Sequence, residues 1–231
     1  MRFYTNVQMV GDNFLVRGYE DGKHFATREK FYPTLFVDSK RKTKYRTLDG
    51  KYVESVEPGT VRECRDFMKN YSEVENFNIY GNERYIYQYI SDKYPEVEVK
   101  FDIEKIKLTT IDIEVASENG FPDVESCAEE VLLITLQDYA TKQIRTWGRG
   151  AFSNKQENVI YKGFDTEYQL LSDFINWWMI EDNTPEVITG WNSKLYDIPY
   201  LCRRIDRILG EKLKKRMSPW GLVTEEETFI A

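Results

Sequence analysis

The chain has 231 residues, 41% hydrophobic and 15% aromatic, with a formal net charge of −7 and a pI near 5.1. That length supports one large or two modest domains around a real core, and the 31% charged fraction keeps a globular surface in water, which excludes a disordered tail. The acidic balance excludes a protein that coats nucleic acid through excess Lys and Arg, but permits an enzyme that holds divalent cations on carboxylates and meets DNA in one groove.

The apolar run Val131 to Leu136 is far too short to span a bilayer, and the N-terminus lacks the apolar stretch of a signal peptide, so a soluble intracellular protein is expected. Cys64, Cys127 and Cys202 are odd in number and widely spaced, which suits reduced thiols and no disulfide framework. The single histidine, His24, rules out a His-based zinc site and reads as a surface or strand-edge residue. Two basic clusters, Lys40-Arg41-Lys42 with Lys44 and Arg46, and Lys212 to Arg216, read as solvated turns that could face phosphates.

Residues 1 to about 56 read mainly as strands. The segment Phe14 to Tyr19 is followed by a hairpin turn at Asp21-Gly22, Phe31 to Val37 is a strand whose Pro33 suggests an edge, and Asp49-Gly50 marks a second turn. Thr60-Val61-Arg62-Glu63 has the form of a capping box, with Val61, Cys64, Phe67, Met68 and Tyr71 as the apolar face behind it. Asn82 is the expected cap of a second helix carrying Tyr85, Ile86, Tyr89 and Ile90. At helical spacing Tyr80, Tyr85, Tyr87 and Tyr89 indicate core and rim packing rather than a base-stacking platform.

Beyond residue 100 the pattern changes. Strands are expected at Leu108 to Val115, Glu130 to Asp138 and Gln143 to Trp147. A helix follows from about Thr166 to Ile180 with Leu170, Leu171, Phe174, Ile175 and Trp178 inward, then a strand over Pro185 to Trp191 and a helix over Ile198 to Leu209. Strands followed by alternating helix and strand predict an α/β layer (α+β for the whole chain) with a mixed central sheet, behind a β-rich N-terminal domain. The expected boundary divides residues 1–100 from 101–231.

In Thr110-Ile111-Asp112-Ile113-Glu114-Val115, side-chain alternation puts Ile111, Ile113 and Val115 on one face and Asp112 and Glu114 on the other. Two adjacent carboxylates repel, and a hard cation such as Mg²⁺ or Mn²⁺ relieves the repulsion through oxygen ligands. Alone, such a pair is also what a solvated strand face carries. Asp197 sits where Gly190 to Tyr200 passes from strand to helix, with Pro199 suited to the first turn; alone, it reads as a cap.

Taken together, Asp112-Ile113-Glu114 and Asn192-Ser193-Lys194-Leu195-Tyr196-Asp197-Ile198-Pro199-Tyr200 resemble the first two exonuclease motifs of family-B DNA polymerases of T-even-like bacteriophages, members of the DEDD nucleases. The likeness extends in order through Tyr32 to Phe36, Tyr89 to Asp92, Ser117 to Pro122, Ile188 to Asn192 and Lys215 to Pro219. It implies a ribonuclease-H-like exonuclease that uses two Mg²⁺ or Mn²⁺ ions to hydrolyse 3′-terminal phosphodiesters of single-stranded or primer–template DNA. Asp112, Glu114 and Asp197 are then the implied catalytic metal ligands. Asn192 and Tyr196 shape the site or contact terminal nucleotides, and Phe121 lines the path of the strand or packs in the core. Tyr196 stands where the family usually has Phe.

The family's third motif, Tyr-x-x-x-Asp, is expected after the second. The one match to its spelling, Tyr161 to Asp165, precedes it, and Asp165 is read as a helix cap. The resemblance therefore implies an N-terminal domain and an incomplete exonuclease from a larger or split polymerase, weak or inactive as a nuclease by itself. Implied partners are DNA and the palm, fingers and thumb of the polymerase, with RNA a further candidate ligand of the N-terminal domain, in the cytoplasm of an infected bacterium and away from membranes. A non-catalytic nucleic-acid- or polymerase-binding module is the main alternative. A free-standing nuclease would need its third motif in the same chain.

Overall fold

The computed structural model describes residues 1–96, 98–118 and 120–224. The chain divides into two compact units, Met1–Asp102 and Ile103–Ala231.

In the first unit, β1 (Arg2–Val10), β2 (Asn13–Glu20) and β3 (Lys23–Lys30) form an antiparallel meander. Asp21 and Gly22 both have positive φ, 49° and 78°, the requirement of the two-residue hairpin that joins β2 to β3. A second antiparallel sheet has the order β5 (Tyr45–Arg46), β6 (Tyr52–Val56), β4 (Leu35–Asp38), β7 (Ile79–Tyr80). Helix α1 (Val61–Tyr71) carries the expected capping box: Thr60 N donates to Glu63 Oε2 at 2.7 Å, and Glu63 N donates to Thr60 Oγ1. Helix α2 (Tyr85–Lys93) sends Tyr85 and Tyr89 into a core with Phe14, Val16, Phe31, Leu35, Val61 and Cys64. Tyr87 on the other side is exposed.

Two sequence expectations need correction in this unit. The strand foreseen from Phe31 begins only at Leu35, because Gln88 on α2 takes both polar groups of the Thr34 backbone, donating to its carbonyl at 2.8 Å and accepting its N–H at 3.1 Å. Asn82 does not cap α2. Its Oδ1 accepts Arg84 N at 2.9 Å in a turn before the helix, and Arg84 holds the cap position without a side-chain bond.

The second unit is built on a five-stranded mixed sheet, order β11 (Val159–Phe164), β10 (Ile144–Arg149), β9 (Val131–Asp138), β8 (Leu108–Val115), β12 (Val187–Thr189). The pairs β8/β9 and β9/β10 are antiparallel; β10/β11 and β8/β12 are parallel. Strand β11 was not foreseen, because its sequence Val-Ile-Tyr-Lys-Gly-Phe lacks clear alternation. Helices α3 (Glu167–Trp178) and α4 (Asp197–Leu209) supply Leu170, Leu171, Phe174, Ile175, Trp178, Leu201 and Ile205 to one core with Ile111, Ile113, Ile134, Leu136 and Trp147. Trp178 Nε1 bonds the Met217 carbonyl at 3.1 Å, and Trp147 Nε1 bonds Asp173 at 2.9 Å, so both large rings are buried with their polar edge satisfied.

All three cysteines are buried, and no disulfide joins them. His24 lies half-buried on the edge strand β3, edge-on to Tyr19. Both basic clusters lie largely at the surface, where Lys214 pairs with Asp206 and Lys215 with Glu211. Among the described residues no helix is long and apolar enough to cross a membrane.

Candidate active site

Strand β8 is the physical base of the site. Ile111 and Ile113 are 1% and 6% exposed, whereas Asp112 and Glu114 between and beyond them are open to solvent. The apolar set anchors the strand in the core, so its alternation alone delivers two carboxylates to the other face.

The parallel partner of β8, strand β12, pairs only with Leu108, Thr109 and Thr110. Beyond that point the β8 edge offers backbone groups to whatever follows β12. Gly190 comes first, so close that a Cβ on it would stand 2.4 Å from the Ile111 carbonyl oxygen; only glycine fits there. Asn192 then turns the chain with φ of 54°, a conformation asparagine tolerates, and its carbonyl accepts the N–H groups of Leu195 and Tyr196 at 3.0 Å each. Helix α4 starts at Asp197, whose Oδ1 accepts the Ile113 N–H at 2.9 Å. Residues 84 apart in sequence thereby meet: Asp197 bonds the backbone between Asp112 and Glu114.

Asp197 is 4% exposed, and burial pushes its carboxyl above the ordinary carboxylate range; the Ile113 N–H opposes that shift and the charge of Asp112 adds to it. The Tyr196 phenol is also pushed up, first by burial and then by the charge of Asp197, with Glu114 contributing. Asp197 thus feels the charge of Asp112, and Tyr196 feels those of Asp197 and Glu114. Among the described residues no three Asp, Glu, His or Cys side chains converge as a closed metal-binding group, since Asp112 and Glu114 extend into solvent and one Asp197 oxygen is committed to Ile113.

Tyr196 stacks obliquely on Phe121 at 5.2 Å and on Tyr200 at 5.6 Å. Phe121 is 84% exposed, so it is a surface ring against Tyr196 and not a core residue. The side chain of Asn192 is exposed at the same turn. Asp165 lies elsewhere: it follows β11, at the edge of the sheet opposite β12, beside Gly163, Tyr168 and Gln169. It is not the cap either. Thr166 is, with Oγ1 accepting Gln169 N.

Sequence reading passed over Glu167 and Arg204, a buried ion pair joining α3 to α4 with contacts of 2.6 and 2.7 Å, and over Gly190 as a steric requirement. The signal for Arg204 was available in its spacing: it lies seven residues after Asp197, on the same face of a helix whose neighbours Leu201 and Ile205 are buried.

A mixed sheet with an Asp-x-Glu strand and a buried Asp at the start of the facing helix defines a class of protein here. The sequence model of the family described as DNA polymerase family B, exonuclease domain, matches residues 59–229, and the chain belongs to that family. It is 30% identical over 96% of its length to the DNA-directed DNA polymerase of Enterobacteria phage T4, and 29% identical over 94% to that of Escherichia phage RB69. It spans 27% of each of those proteins. The family B DNA polymerase of the hyperthermophilic archaeon Pyrobaculum calidifontis shares the fold, with TM-score 0.61 at 16% identity over 98% of this chain and 35% of the archaeal one.

Proposed function

We propose that this chain is the N-terminal and exonuclease region of a phage replicative DNA polymerase, acting in the cytoplasm of the infected host, and that residues 103–231 belong to a proofreading site that hydrolyses 3′-terminal DNA phosphodiesters. One observation carries this reading: the Asp197 carboxylate is bonded to the β8 backbone between Asp112 and Glu114. An isolated helix cap and a solvated strand pair have no reason to meet in this way.

The donor set is all carboxylate oxygen, which suits Mg²⁺ or Mn²⁺ and not a softer metal. Asp112, Glu114 and Asp197 would hold the cations, with rotation of the two exposed side chains and no movement of the strand. Bound in pairs, such ions neutralise charge on the attacking and leaving oxygens and lower the pKa of water. The chain's own contribution is positional. Buried Asp197 is fixed by β8, while the exposed side chains of Asp112 and Glu114 remain free to turn toward the cations. Phe121 and Tyr196 offer ring faces to the terminal bases, with Asn192 beside them. The tyrosine hydroxyl at position 196, unusual for the motif, stands within the field of Asp197 and Glu114. DNA and the remaining polymerase domains are the partners of this reading; RNA at the first unit belongs to the same proposal.

Calorimetric titration of Mn²⁺ into the 231-residue polypeptide, beside hydrolysis of a 5′-labelled single-stranded oligonucleotide, tests it. Weak binding of Mn²⁺ that disappears in Asp112→Ala supports the site. Unchanged Mn²⁺ binding in Asp112→Ala would return these carboxylates to a solvated pair and a buried cap.

A further inference from the structure

The buried side of α4 carries polar groups among its apolar ones. Asp197, Tyr200 and Arg204 follow at helical spacing, all 5% exposed or less, and each is hydrogen-bonded to chain outside the helix. Asp197 bonds Ile113 N on β8. The Tyr200 hydroxyl donates to the Glu129 carbonyl at 2.8 Å. Arg204 donates through Nη1 to the Cys127 and Ala128 carbonyls at 2.9 and 3.0 Å, and through Nε and Nη2 to the two oxygens of Glu167 at 2.6 and 2.7 Å. Glu167 Oε1 also accepts the N–H of Val131, the first residue of β9, at 2.9 Å.

These bonds close a circuit. Val131 pairs with Val115 on β8, two residues beyond Ile113. From Ile113 the path runs along β8 to Val115, across to Val131, through Glu167 to Arg204, down α4 to Asp197 and back to Ile113. Apolar packing is non-directional and lets a helix slide or roll by fractions of an ångström. Hydrogen bonds weaken steeply with angle and distance, and a bidentate guanidinium–carboxylate pair restricts both. Arg204 lies about 10 Å along the axis from Asp197, two turns away on the same face, so a latch there controls the axial position of the helix start.

We propose that the Arg204–Glu167 pair is a positioning device for Asp197, setting the register of α4 against β8. This rests on the exonuclease reading of Asp197 for its functional meaning, while the mechanical link stands on the geometry alone. Arg204 and Glu167 touch neither metal nor substrate in this reading; they act through the helix.

The amide of Ile113 reports the link directly, because its partner is the Asp197 carboxylate. Hydrogen exchange is measured residue by residue in wild type, Arg204→Lys, Glu167→Gln and Asp197→Ala, together with Mn²⁺ titration of each and of Asp197→Asn. Arg204→Lys keeps the charge but loses the fork, and Glu167→Gln keeps an acceptor for Val131, so the second preserves the fold if the first does not. The expected result is an Ile113 amide at least about tenfold faster in the latch variants, approaching the rate in Asp197→Ala, with Ile134 and Leu136 on β9 unchanged, and Mn²⁺ affinity reduced in parallel. Exchange at Ile113 within twofold of wild type in a folded latch variant overturns the proposal, as does acceleration spread evenly over α3, α4 and β9, which marks a purely structural pair. Mn²⁺ binding that survives Asp197→Asn overturns the exonuclease reading instead and leaves the exchange result to decide the latch.

Discussion

A single methyl group at Gly190 tests whether the turn from β12 to α4 sets the site. The ideal Cβ of an alanine there lies 2.4 Å from the Ile111 carbonyl oxygen and 3.0 Å from Ser193 Cβ. Ordinary contact begins near 3.4 Å, so the turn must withdraw from β8 by about 1 Å, or the strand must bend. Overpacking against backbone, which cannot rotate away, costs roughly 1–3 kcal/mol. The same shift carries the start of α4 outward, and the Asp197–Ile113 bond, 2.9 Å in wild type, loses most of its strength. Gly163→Ala is the matched control. Its Cβ would stand 2.3 Å from the Gly150 carbonyl oxygen, an equal clash in β11 at the opposite edge of the same sheet. Urea unfolding should show both variants destabilised by comparable amounts, and hydrogen exchange should show Ile113 accelerated in Gly190→Ala only. Ile113 exchanging alike in the two variants would refute the idea that close approach at Gly190 places Asp197.

Two further outcomes follow from the site. Burial holds the folded-state pKa of Asp197 above the unfolded value of 3.8, so its charge costs stability above the folded pKa, and that cost vanishes as the pH falls below the unfolded one. Asp197→Asn is therefore expected to be more stable than wild type at pH 7, with the gap closing on acidification; a gap that widens toward low pH contradicts the assignment. Phe121→Ala removes an exposed ring that contacts little besides Tyr196, so thermal stability should hardly change, while affinity for a short single-stranded oligonucleotide falls about 5- to 150-fold by fluorescence anisotropy, the loss of roughly 1–3 kcal/mol of base stacking; unaltered affinity removes Phe121 from the substrate path.

What could be read from sequence was whatever depends on neighbours a few residues apart. The alternation in Thr110 to Val115 separates two carboxylates from three apolar side chains, the box at Thr60 and Glu63 starts α1, and Asp21-Gly22 turns a hairpin, because pleat, helical turn and backbone sterics act over two to four residues. The order of two short motifs was enough to identify the family. Local rules misplaced what distant chain decides: Gln88 takes the Thr34 backbone and delays β4, and β11 becomes a strand by pairing with β10 despite an irregular pattern. The bond from Asp197 to Ile113, the clearance at Gly190 and the Glu167–Arg204 pair were set by tertiary structure alone. Each joins groups from separate elements whose approach is fixed by packing around the sheet, and a residue's own neighbours in sequence carry no record of which backbone group will stand opposite it.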